Sequence, residues 1–166
     1  MKSKYTIMSA ATLVAIAGFT AYAFAGEAKE ESISLDKVPA AVKTTLAKYA
    51  ADSDVKKVEK GDQDGTQVYE FDIEQGVRKF EVAISPKGKF MGTEEDMELT
   101  AMPAAAQKAL RDQAAGGKIS AGEKAVDKDN KVTYEADIDK DGKKTEVAVD
   151  ANGKIVSTEA AADEKD

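Results

Sequence analysis

Val68-Tyr69-Glu70-Phe71-Asp72-Ile73, answered across a Gln75-Gly76 turn by Lys79-Phe80-Glu81-Val82-Ala83-Ile84, is the stretch on which the fold turns. Alternation with a period of two predicts half-buried antiparallel strands, with Tyr69, Phe71, Ile73, Phe80, Val82 and Ile84 on one face. The same text returns further along the chain. The segment 33–95 overlays 97–159, first at an offset of 64 (Leu35 on Leu99, Pro39-Ala40-Ala41 on Pro103-Ala104-Ala105, Glu59-Lys60 on Glu123-Lys124). After a one-residue insertion the offset is 65, with Tyr69-Glu70 on Tyr134-Glu135, Glu81-Val82-Ala83 on Glu146-Val147-Ala148 and Thr93-Glu94 on Thr158-Glu159. Roughly twenty identities over some sixty positions in register mark an internal duplication.

Each copy opens on a cap-type residue, Asp36 or Thr100, followed by Pro39 or Pro103, a residue tolerated in a first helical turn. Val38, Val42, Leu46 and Tyr49 give the first helix its apolar stripe. Met102, Ala106 and Leu110 give a weaker one to the second helix, which Gly116-Gly117 stops. Turn signals at Asp62–Gly65, Gln75-Gly76 and Ser85–Gly88, matched by Asp129-Asn130, Asp141-Gly142 and Asn152-Gly153, separate the strands. The expected fold is α+β: two tandem repeats, 33–95 and 96–160, each one helix packed on a four-stranded antiparallel meander. Glu94-Glu95-Asp96 reads as the joint between the copies. Residues 26–32 and 161–166, charged or small and without period, read as a disordered linker and a disordered tail.

Ahead of the first repeat, Lys2 and Lys4 precede an apolar run of small residues ending in Ala23-Phe24-Ala25, the pattern of a secretory signal peptide over 1–25 with Ala23 and Ala25 at the cleavage site. The expected location is periplasmic or secreted, with no membrane association after cleavage. Removing 25 of the 166 residues leaves 141, and 22 basic against 31 acidic side chains give a net charge of −9. Nucleic acid is therefore a poor partner. The absence of histidine and cysteine excludes the Ser-His-Asp and Cys-His nucleophile systems, zinc held by His or Cys, and disulfides. No glycine-rich phosphate loop is visible, so no cofactor is expected.

Two groups of residues carry possible chemistry. Asp137-Ile138-Asp139-Lys140-Asp141-Gly142 matches the opening of a calcium loop, but Ala148 stands where the closing bidentate glutamate belongs. Asp137, Asp139 and Asp141 are thus at most a weak calcium site, and a hairpin with Asp-Gly in its tight turn accounts for them. The outward positions of the central strands, Glu70, Asp72, Lys79, Glu81, Glu135, Asp137 and Glu146, form the second group. They read either as cross-strand pairs on a solvated face or as a charged surface that docks a partner. Carboxylate catalysis would need a pocket that raises one pKa, and the alternation offers none.

The helix text LDKVPAAVKTTLAKY, followed by hairpins of the VYEFDI and KFEVAISPKGKFMGTEE type, resembles the PepSY-like domains of exported bacterial proteins, also described as β-lactamase-inhibitor-like. The resemblance spans about residues 33–160. It implies a non-catalytic module that presents a sheet surface to an envelope or secreted protein, such as a peptidase, and restrains it. The alternative is an acidic exported protein that binds cations or buffers stress.

Overall fold

The structure, a computed structural model, describes residues 31–63 and 65–160. The expected signal peptide, most of the expected linker and the expected tail lie outside the described residues. The chain forms strand β1 (Glu31–Ser32), helix α1 (Ala40–Leu46), strands β2 (Val55–Gln63), β3 (Thr66–Gln75), β4 (Arg78–Ile84) and β5 (Phe90–Asp96), helix α2 (Ala104–Ala114), and strands β6 (Lys118–Asp127), β7 (Val132–Lys140), β8 (Lys143–Val149) and β9 (Ile155–Ala160). All nine strands lie in one antiparallel sheet in chain order.

The helices start later than the cap-type residues suggest. Val38 and Met102 precede prolines and are held extended (ψ 135° and 160°), because the proline ring excludes the helical region for the residue before it. Pro39 and Pro103 are therefore the N-caps, and Asp36 and Thr100 sit in separate 3-10 turns upstream. In the second copy the Gln107 side-chain amide donates to the Thr100 and Met102 carbonyls and ties that turn to the helix. The second helix, with the thinner stripe, is the longer: 11 residues against 7. Its alanines, good helix formers, carry it to Ala115, which takes a left-handed conformation (φ 47°) and ends it.

Both helices cover the same face of the sheet. Val38, Val42, Leu46 and Ala50 pack on Val58, Tyr69, Phe71, Ile73, Val82 and Ile84. Met102, Ala106, Leu110 and Ala114 pack on Ala136, Ile138, Val147 and Val149. In the first copy Tyr49 and Phe90 stack with ring centroids 5.3 Å apart, and Thr45 Oγ1 donates to the Gly88 carbonyl at 2.6 Å. The second copy has Ala109 in the place of that threonine.

One contact recurs in both halves. Gly88 and Gly153 occupy the left-handed region (φ 77° and 80°), and a Cβ there would lie 2.5 Å from the Ala41 and Ala105 carbonyl oxygens respectively. The hairpin can touch the first turn of its helix only through glycine. Gly88→Ala and Gly153→Ala should each lower stability by about 2 kcal/mol or more, the left-handed penalty plus the clash, as read from urea midpoints. A loss below ~0.5 kcal/mol would show that the contact gives way freely.

The two copies do not form separate meanders. β5 pairs with β6, from Gly92 opposite Asp127 to Asp96 opposite Glu123, so Glu94, Glu95 and Asp96 lie within a strand at the centre of one sheet and are not a joint. The chain leaves β5, crosses the sheet as α2 and returns beside the strand it left. This pairing satisfies two sets of edge amides that separate sheets would expose. Glu31 and Ser32, placed by their composition in the aperiodic linker, pair with Lys60 and Glu59. Backbone pairing at an edge needs no side-chain period.

Candidate functional site

With both helices on one face, no element of the described chain covers the other. Its composition follows from the strand alternation: Glu70 and Asp72 on β3, Lys79, Glu81 and Ala83 on β4, Glu94 and Asp96 on β5, Glu123 and Ala125 on β6, Glu135 and Asp137 on β7, Glu146 and Ala148 on β8. All seven residues expected on the outward positions are brought to this face.

The face is not the solvated surface that the charges suggest. Val68, Ala83, Ala125 and Ala148 are buried although they belong to neither helix core. Glu94 and Glu135 are 5% and 3% exposed. Neighbours on the same face must do the shielding, because no element of the described chain covers it. Glu94 stands directly across from Glu81 on one side and Ala125 on the other. Glu135 stands across from Glu123 and Ala148, and Asp137 across from Glu146.

Two ion pairs of this face lie in the first copy. Lys57 meets Glu59 at 2.8 Å, and Lys79 meets Glu74 at 3.7 Å. On the helix-bearing face Arg78 donates to both oxygens of Glu95, at 2.7 and 3.0 Å, and lies 4.8 Å over the Phe80 ring. Where the copies join, the open face gathers like charges. Among the described residues no lysine or arginine forms an ion pair with Glu94, Glu123, Glu135 or Glu146.

The carboxyl groups respond as burial and mutual repulsion require. Burial pushes Glu94 well above the usual carboxylate range, and Glu81, Glu123, Glu135 and Glu146 add to the effect. Glu123 is pushed up to about 7 by burial and then by Glu135, Asp96 and Asp137. Glu146 is pushed up to about 8 by burial and then by Glu135, Asp137, Glu123 and Glu159. Burial also raises Glu135, against a hydrogen bond from the Thr133 hydroxyl at 2.8 Å and another shared with Glu146. Asp72 is raised by burial, against the pull of Lys57. The environment that the alternation did not suggest is therefore present.

Within the described residues no protein donor reaches Glu94 Oε1, and none reaches Glu135 Oε2 while Glu146 is ionised. The sequence pattern does not single out Glu94 or Glu123, and Glu94 falls in a stretch that reads as a joint. The duplication carried the signal: Glu59 and Glu123, Glu70 and Glu135, Glu81 and Glu146, Glu94 and Glu159 are equivalent pairs.

Asp137, Asp139 and Asp141 do not converge. Asp137 faces Glu146 and Asp139 faces Lys144 across β7 and β8, while Asp141 and Gly142 form the tight turn with φ 55° and 76°. Two successive left-handed residues are what a type I′ hairpin demands. Among the described residues no group of three or more acidic side chains is arranged to hold a metal ion. Millimolar calcium should therefore raise the thermal midpoint by less than about 2 °C. A rise of many degrees, abolished by Asp139→Ala, would restore the calcium loop.

The sequence profile of a family described as "Putative beta-lactamase-inhibitor-like, PepSY-like" matches residues 25–92 and 85–157. No curated protein matches the chain. Among solved structures, a DUF2874 family protein from Bacteroides ovatus superposes with a TM-score of 0.62 at 16% identity, over 77% of this chain and 91% of its own. A BLIP-like protein from Bacteroides fragilis gives 0.59 at 15% identity, over 76% and 88%. A protein from Bacteroides eggerthii, provisionally named periplasmic, gives 0.62 at 16% identity, over 74% and 88%. At such identities the likeness is one of fold. No helix among the described residues is long and apolar enough to cross a membrane.

Proposed function

The chain belongs to the PepSY-like, β-lactamase-inhibitor-like family, and from that premise we propose that it is an exported, non-catalytic binding module that engages an envelope protein, such as a peptidase, through the open face of its sheet and restrains it. The observation that carries this reading is the one-sided build. Nine strands present a continuous face whose centre is buried by its own side chains, while both helices lie behind it. A rigid sheet backed by two packed helices holds such a face in shape before a partner arrives, which lowers the ordering cost of association. The family's name points the same way, toward a module that acts by binding.

The test is site-specific photo-crosslinking in the cell envelope, with the probe at Glu81 or Ser157 on the open face and, for comparison, at Lys48 in the exposed turn after α1 or Gln113 on the exposed side of α2. Adducts to one envelope protein from the open-face positions alone are the expected result. Equal yields from the helix positions, or no adduct from the open face, would reject the assignment.

A further inference from the structure

The carboxylates at the join of the copies make a demand that the described chain does not meet. Glu94, Glu123, Glu135 and Glu146 come from four adjacent strands, β5 to β8, and their neighbours on the face are Glu81, Asp96, Asp137 and Glu159. Directly across from Glu94 is Ala125, and directly across from Glu135 is Ala148. These small side chains leave the carboxyl groups with no bulky neighbour at those positions. The two most deeply buried glutamates each keep one oxygen without a donor, Glu94 Oε1 outright and Glu135 Oε2 unless Glu146 carries a proton. A buried carboxylate oxygen without a partner is costly, and the groups that satisfy it best are cationic donors. Metal-ion geometry is not what the cluster offers.

We propose that Glu94, Glu123, Glu135 and Glu146 form the receptor for a lysine- or arginine-bearing segment of the partner protein, whose cationic head groups supply the donors that Glu94 Oε1 and Glu135 Oε2 lack. This rests on the reading of the open face as the docking surface and names the chemistry of its occupant. Charge complementarity selects the occupant. An acidic or apolar segment would leave the same oxygens unpaired and would add repulsion or desolvation to the complex. A flexible cationic side chain can instead bring its head group to the cluster by way of Glu123 and Glu146, which solvent partly reaches. Its arrival displaces protons held by the cluster, so binding near pH 7 releases them.

The test is titration calorimetry of the protein, as purified from its host, with an eight-residue lysine peptide and its arginine counterpart near pH 7, in two buffers of different ionisation enthalpy. Expected are saturable binding, a heat that differs between the buffers in the sense of proton release, and a loss of affinity of at least tenfold in E94Q/E135Q. D62N/D112N, which replaces the same number of acidic side chains at exposed positions away from the face, should lose less than twofold. If E94Q/E135Q fails to fold, E123Q/E146Q carries the same comparison at more solvent-reached positions. Equal losses in the two double variants would mean diffuse attraction to an acidic protein and would overturn the proposal. Spermidine binding as tightly as the peptides would do the same, since the site would then suit a small polyamine. A partner crosslinked at Glu81 in the parent and equally in E94Q/E135Q would overturn this inference while leaving the docking face in place.

Discussion

Raising the pH from 5 to 9 should weaken the fold, with the urea midpoint falling steadily through the window between about 4.5 and 8. Glu123 titrates near 7 and Glu146 near 8 in the folded protein because of burial and the neighbouring carboxylates, whereas in the unfolded chain both revert to ordinary glutamates. Between those limits the folded state holds protons that the unfolded state has released, so stability declines as pH rises. The stabilising contribution is complete below the unfolded pKa and is gone once pH passes the folded values. Glu94 and Glu135 are shifted in the same direction. Their mutual repulsion is one interaction that counts once, and Glu123 and Glu146 are partly reached by solvent, so a net loss of about 2–4 kcal/mol is expected. Glu95, held below the usual range by Arg78, is ionised throughout the window and does not offset it. In E123Q/E146Q the slope should fall by at least half, with the midpoint at pH 8.5 above that of the parent. Equal stability of the parent at pH 5 and 9 would mean that water reaches these carboxylates as freely as it reaches exposed ones.

The second large effect separates the two halves. Phe71, fully buried, is answered by Ala136, and half-buried Phe80 by half-buried Thr145. Phe90, stacked on Tyr49, is answered by Ile155, which is 42% exposed. The first core thus holds aromatic volume that the second lacks, together with the hydrogen bond from Thr45 to Gly88. A fragment of residues 31–96 should unfold cooperatively in urea, whereas a fragment of residues 97–160, deprived of β5 beside β6, should show no cooperative transition. In the whole chain Phe71→Ala should cost about 3–5 kcal/mol, a large share of a net stability of about 5–15 kcal/mol. Because the sheet is continuous, both halves should be lost in one transition. Far-UV circular dichroism of the fragments and of the variant decides the matter. A second fragment that unfolds as late as the first would show that its small residues pack to an adequate core.

The duplication, the hairpins and the helix stripes were legible because they are local: period two, turn chemistry at Gly76 and Asp141-Gly142, and apolar residues at helical spacing. The merger of the two sheets was not. Which edges meet depends on where α2 delivers the returning chain, and Glu94-Glu95-Asp96 carries the same letters whether it is a linker or a central strand. Strand alternation placed Glu70, Glu81, Glu135 and Glu146 on the correct face but could not give their burial. Burial there depends on the side chains that other strands bring alongside, which a period of two does not encode. Asp36 differs for another reason: it is a cap-type residue, but Pro39 holds Val38 extended and so moves the helix start past it.

The pairing of β5 with β6 also implies a growth rule. β9 stands in the second copy where β5 stands in the first, and residues 155 and 156 leave it with exposed apolar side chains, 42% and 38%. The edge that received the second copy has thus been reproduced at the far side of the molecule by the duplication itself. Architectures of this kind lengthen by nearest-neighbour addition without rebuilding what is already there. A gene that duplicated once in this way retains the means to lengthen again, and each further round would lay down another stripe of carboxylates beside the last.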